Sequence, residues 1–339
     1  MTLQMNEKLF VRLGGLLMFV LFISASVIYF TFDIRALKYL NMFNSECIAL
    51  ALGCLFLGLV FDGLRLITLA DLTGERLPLR HVVNVVLSNY FLALFTPGAS
   101  GGAIAQVMFM RRAGVPVAKA TVVVLVRTVM SIMFLIVLIP VVLHSDAAIV
   151  KWMPAYLITT LSVLFMSMPL VVYFLMRTSY PEQWLYAGTK KFSHTWRRKS
   201  FRLYREFKQA FVIMGRHPWT VARAFLESGM SLLFIYATVP AYFTGLNLEF
   251  DFVQVMGRMI LLNLVLYFSP TPGGSGIAEA GFIVLFSKML PEGVAGIMAV
   301  LWRFTAEYLP FFLGAVVSIR VFGSNVLNII SAKEEAEEE

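Results

Sequence analysis

The chain alternates long apolar runs with short polar clusters, and most of the runs are far too long for strands. Those at about 9–30, 47–70, 118–143, 154–176, 219–243 and 294–322 each supply the roughly 20 predominantly apolar residues that cross a bilayer as a helix. Two further apolar regions, about 81–110 and 252–288, are interrupted. Thr96-Pro97-Gly98-Ala99-Ser100-Gly101 breaks the first, and Thr271-Pro272-Gly273-Gly274-Ser275-Gly276 breaks the second. Proline removes a backbone donor and glycine leaves the backbone loose, so neither helix continues through its break. Irregular chain at membrane depth survives only where protein buries it or where it lines a wet cavity, which makes each break a candidate site.

The two breaks match at five of six positions, and the likeness extends beyond them. Val124-Leu125-Val126-Arg127 resembles Val300-Leu301-Trp302-Arg303, at nearly the same distance from its own loop. The segment 81–95 offers roughly 22 Å of helix against a core of ~30 Å, so it turns back instead of crossing. Arg111-Arg112 closes the return arm and places it in the cytoplasm. The first hairpin therefore enters from the inside. Three full spans later, the second enters from the outside. The expected fold is an all-α polytopic membrane protein with about six full spans and two oppositely oriented re-entrant hairpins. They form an inverted repeat, 81–143 and 252–322, within one domain at 1–322, and an acidic disordered tail follows at 323–339. Interrupted apolar segments in corresponding halves point to a transporter binding site.

Composition agrees: 59% of residues are hydrophobic and 14% charged, which excludes an ordinary soluble domain. The net charge of +8 is confined to one loop, about 177–218, where ten Lys/Arg between Arg177 and Arg216 face only Glu182 and Glu206. The positive-inside rule puts this loop in the cytoplasm, and both termini with it. Trp184, Tyr186, Phe192, Trp196, Phe201, Tyr204 and Phe207 interleave with its cations, as in helices lying at a membrane interface. The loop either touches anionic headgroups or docks an acidic partner, and it is too short for a nucleic-acid-binding fold. Cys47 and Cys54 lie seven apart on one helix and cannot bridge, while four scattered histidines make no metal site. No cofactor is expected. The first run is too long for a signal peptide and lacks a small-residue cleavage site, so it is expected to remain as a helix.

Each break leads into a helix whose first-turn N–H groups face the membrane centre, near Gly101 and Gly276. Such N-termini attract anions, and together with Arg127 and Arg303 they predict an electropositive cavity suited to a phosphate headgroup. The candidate headgroup contacts are Thr96, Pro97, Gly98, Ser100, Gly101 and Arg127 in the first half. In the second they are Thr271, Pro272, Gly273, Gly274, Ser275, Gly276, Glu279, Arg303, Glu307 and Tyr308. Glu279 either caps the helix that starts at Gly276 or pairs with Arg303. Glu307 and Tyr308, one turn on, are placed to orient Arg303, while Asn89 and Asn263 are placed to satisfy loop backbone groups. Asp62 and Arg65 lie three apart, close enough to pair along one helix face or to meet a headgroup. Ser100 and Ser275 are expected as caps, because no His/Asp partner set accompanies them as nucleophiles.

Taken together, several motifs resemble the lysylphosphatidylglycerol synthase transmembrane-region family, also called flippase-like. They are Thr96-Pro97-Gly98 with Gly101-Gly102, the Arg111-Arg112-Ala113-Gly114 turn, Arg127, Pro270-Thr271-Pro272-Gly273-Gly274 with Gly276 and Glu279, and Leu301-Trp302-Arg303. That family includes the membrane half of the bacterial multiple peptide resistance factor. The resemblance implies a flippase in the bacterial inner (cytoplasmic) membrane. Its cargo would be an anionic or aminoacylated phospholipid such as lysylphosphatidylglycerol, or another phosphate-bearing lipid such as an isoprenoid phosphate. Members often carry an acid just after the first glycine pair, where this chain has Ala103 and Gln106. The soluble aminoacyl-transfer domain of bifunctional members has no counterpart in these residues, so synthase activity is not expected. Two other readings remain open at this point. One is a scaffold that docks a separate lipid-modifying enzyme through the basic loop; the other is a membrane transferase with Glu279 as base.

Overall fold

The computed structural model describes residues 43–96, 100–146, 217–246, 248–291 and 293–321, with parts of 156–208. The regular elements are helices, with no strand among the described residues. In chain order they are α1 (Ser45–Leu72), α2 (Leu79–Ala93), α3 (Ser100–Arg112), α4 (Val117–Ser145), α5 (Tyr180–Thr189), α6 (Pro218–Tyr236), α7 (Thr238–Gly245), α8 (Phe252–Tyr267), α9 (Ile277–Phe286) and α10 (Val294–Arg303). A π-helical turn at Phe304–Tyr308 follows α10, and helix then continues to Val321.

Four stretches are long and apolar enough to cross a membrane: Ser45–Leu72, Val117–Ser145, Pro218–Gly245 and Val294–Val321. They fall within a few residues of the spans expected at 47–70, 118–143, 219–243 and 294–322. The span expected at 9–30, the tail at 323–339, most of the span at 154–176 and half of the basic loop lie outside the described residues. Caps fix two of the helix starts. Asn44 accepts from the Cys47 N–H at 2.9 Å before α1, and Asp251 accepts from Val253 N–H at 2.8 Å before α8.

Helix pairs build the bundle. α2 packs on α3 across the first break, α6 and α7 run along α1, α8 lies on α4, and α9 packs on α10. At roughly 22, 24 and 15 Å, α2, α8 and α9 are each shorter than a bilayer core. Lipid tails are as apolar as leucine, so these helices associate through close packing instead of exclusion from water. The ring of Phe282 shows this, stacked on Phe286 at 4.4 Å and on Trp302 at 5.5 Å between centroids. A second apolar cluster around Leu66, Val85, Met110, Val123 and Met130 joins α1 to α2, α3 and α4. One tie escaped sequence reasoning. Arg258 of α8 donates Nε to Asp146 at 2.6 Å and bonds the Leu285 carbonyl, which ties the first half of α8 and the C-terminal end of α9 to the end of α4.

Candidate functional site

The two breaks meet. Gly273 donates its N–H to the carbonyl of Thr96 at 3.4 Å, so residues about 175 apart in sequence form one junction. Gly273 sits at φ 56°, Gly274 at 68° and Gly276 at 79°, a left-handed run that only glycine follows without strain. A methyl group on Gly273 would lie 2.6 Å from Leu94 Cδ1, so the close approach needs glycine as well.

Beside this junction lies a cavity of about 320 Å³. Asp62 and Arg65 reach it from α1, Asn89 and Gln106 from the α2–α3 pair, and Arg127 from α4. Asn263, Gly273, Gly274, Trp302 and Glu307 close it from the second half, and Ser100 joins from the first. Tyr90, Tyr236, Tyr267, Ser131 and Ser231 also line it, and sequence reasoning singled out none of them. For Ser131 a signal existed: it follows Arg127 by four residues, as Glu307 follows Arg303.

The charged groups form two clusters. In the first, Asp62 takes Arg65 on one carboxylate oxygen and Arg127 on the other, and Arg65 Nη1 donates to Ser131 Oγ at 2.6 Å. All three charged residues are buried, with Asp62 at 1% exposure. Two arginines around one carboxylate leave a surplus positive charge on the cavity wall. In the second cluster, Arg303 donates Nε to Glu279 at 3.1 Å and Nη1 to the Gly273 carbonyl at 3.0 Å, and it pairs with Glu307. The Tyr308 ring lies 5.5 Å from its guanidinium carbon. Here one arginine sits between two carboxylates, a surplus negative charge. Arg303 and Glu279 are each 1% exposed and do not line the cavity; Glu307 does.

This arrangement revises the expected anion site. The amides of the second loop are already engaged: Gly274 N–H bonds Thr271 O, Ser275 N–H bonds Pro272 O, and Gly276 N–H bonds the Glu279 carboxylate at 2.8 Å. Glu279 therefore both caps α9 and pairs with Arg303. Ser275 does not cap; its hydroxyl donates to Pro272 O at 2.5 Å. In the first half Thr96 Oγ1 accepts from Gly101 N–H at 2.6 Å, and Ser100 opens α3. Pro97 and Gly98 lie outside the described residues. Asn89 and Asn263 do not serve the loops: Asn89 Oδ1 accepts from Gln106 Nε2 at 2.6 Å, and Asn263 Nδ2 donates to Met259 O in its own helix at 2.9 Å. Arg65 and Arg127 lie at the cavity wall, whereas the Gly101 and Gly276 amides are already engaged by Thr96 and Glu279.

The family model described as the lysylphosphatidylglycerol synthase TM region matches residues 17–314. The chain belongs to that family. A UPF0104 membrane protein of Archaeoglobus fulgidus is similar to it, 24% identical over 266 residues that cover 75% of this chain and 80% of that protein. An integral membrane protein of a lipid-related family is thus established, and the cavity lies among its membrane-spanning helices.

Proposed function

We propose that the chain is a lipid flippase, with the two loops as tips of oppositely entering re-entrant hairpins that converge near the membrane midplane. The cargo is a phosphate-bearing lipid, anionic or aminoacylated, whose headgroup occupies the cavity while its tails stay in the bilayer. One observation carries this reading: Arg65 and Arg127 share the single carboxylate of Asp62 at the cavity wall. Unbalanced charge is expensive at membrane depth and is kept where a ligand or ion path needs it. A phosphate arriving there supplies the missing negative charge and competes with Asp62 for both guanidinium groups, which donate paired N–H bonds to its oxygens. Six full spans and cytoplasmic termini complete the topology, and rocking of one half against the other is the natural transport cycle.

The test is reconstitution into vesicles of phosphatidylcholine doped with fluorescently labelled phosphatidylglycerol, followed by dithionite quenching from outside. Wild type is expected to expose the inner-leaflet label, and Arg127→Gln to behave as protein-free vesicles. Equal quenching by both proteins would sink the cavity as the route.

A further inference from the structure

Two residues at the cavity wall carry a buried polar atom with no hydrogen-bond partner among the described residues: Arg65, at its donor Nε, and Gln106, at its acceptor Oε1. Gln106 is 3% exposed, and its Nε2 is committed to Asn89, while its Oε1 is buried with no hydrogen-bond partner among the described residues. Asn89 is itself pinned, because it packs directly over Gly102, where any β-carbon would collide with Oδ1. The Gln106 amide is thus held by its nitrogen end, with its oxygen buried and unmatched. A buried acceptor left unmatched costs roughly 1–3 kcal/mol, and such a group in a native fold marks an absent partner.

The rest of the lining says what that partner is. Arg65 and Arg127 offer donors, which a phosphate satisfies completely. Gln106 Oε1 offers an acceptor, and Glu307 adds a second from a cluster that already carries surplus negative charge. A fully ionised phosphomonoester carries no donor, so it would satisfy the arginines and leave the acceptors empty. We infer that Gln106 is the specificity-determining residue of the site, its Oε1 accepting from an N–H or O–H of a substituent borne by the phosphate. The site therefore takes phosphodiester headgroups that carry a hydroxyl or an ammonium in preference to a phosphomonoester. This rests on the phosphate reading above and narrows it.

Titration of the purified full chain with dioctanoyl phosphatidic acid, phosphatidylglycerol and phosphatidylethanolamine, followed by calorimetry, tests it. One recovered hydrogen bond corresponds to about tenfold in affinity. Wild type is expected to bind the glycerol and ethanolamine lipids about tenfold more tightly than phosphatidic acid. In Gln106→Met that preference disappears while affinity for phosphatidic acid is unchanged. Gln106→Glu keeps an acceptor and adds charge, so it favours ethanolamine over glycerol, and it carries the test alone if Gln106→Met fails to fold. Wild-type binding of phosphatidic acid as tight as that of the others overturns the inference, as does a preference that survives Gln106→Met. If all three bind equally and Arg127→Gln abolishes binding, the phosphate site stands and only the role of Gln106 falls. If none binds, both fall.

Discussion

The two TPG loops are nearly the same in sequence, yet the structure satisfies them with different chemistry. At the first, a threonine hydroxyl takes the Gly101 amide and the nearby arginine finds its carboxylate on another helix, α1. At the second, one glutamate takes the matching Gly276 amide and also pairs with the matching arginine, with a further glutamate one turn on. Arg127 is thus part of an arginine-rich group at the cavity, and Arg303 part of a carboxylate-rich group behind it. A shared backbone plan fixes where the loops sit. The acids around them leave an arginine surplus at the first and a carboxylate surplus at the second, which is why the proposed headgroup site is placed at the first.

Removing each arginine is the strongest way to break this comparison. Arg303→Met strands Glu279 and Glu307 together in the protein interior, and loss of one partner from a buried ion cluster costs about 3–5 kcal/mol. Arg127→Met leaves Asp62 paired with Arg65, a neutral remnant, so the loss is nearer 1–3 kcal/mol. Unfolding followed by detergent titration should show Arg303→Met failing to accumulate or melting far below wild type, with Arg127→Met folded. Equal damage from both would mean the clusters are equivalent and the assignment of binding to one is wrong.

Asp62→Asn sharpens the same contrast. It leaves Arg65 and Arg127 facing each other without a carboxylate, a loss of about 2–4 kcal/mol softened by access to the cavity. Because an anion can then take the vacated place, dioctanoyl phosphatidylglycerol should raise the melting temperature of Asp62→Asn more than that of wild type, by mass action on the folded state. The control is Glu279→Gln, whose site is sealed from the cavity and should show no extra gain from lipid. A larger lipid-induced shift in Glu279→Gln would move the headgroup site to the second cluster.

Much of this was readable from sequence because it is written locally. Spans follow from run length, and α1, α4 and the α6–α7 stretch start and end within about two residues of the apolar runs that predicted them. The repeated TPG motifs do meet in space, Arg127 lines the cavity beside them, and Asp62 and Arg65 pair along one face. What could not be read is which acid serves which arginine. Asp62 reaches Arg127 across 65 residues, and apolar run length fixes how long each helix is but not which helices become neighbours. The same gap explains the misplaced asparagines, since Asn89 is claimed by Gln106 only because α2 folds back on α3. The π-helical turn after Arg303, which sets Glu307 beneath it, has no composition signal, for Phe304–Tyr308 reads as ordinary helix.

The smallest expected effect is the most direct comparison, because it changes the same residue in both loops. Thr96 holds the Gly101 amide through its hydroxyl, a bond that takes the place of a helix cap, and losing such a cap costs about 1 kcal/mol. Thr271 occupies the aligned position, but among the described residues its hydroxyl meets only Ser269 Oγ, at 2.9 Å, while the Gly276 amide is held by Glu279. Valine keeps the shape of threonine and removes the hydroxyl. Thr96→Val should therefore lower stability by about 1 kcal/mol and Thr271→Val by no more than a few tenths, read as a difference between two otherwise identical melts. Should the two variants lose the same amount, the loops are held alike, and the division of labour between threonine and glutamate is not what separates them.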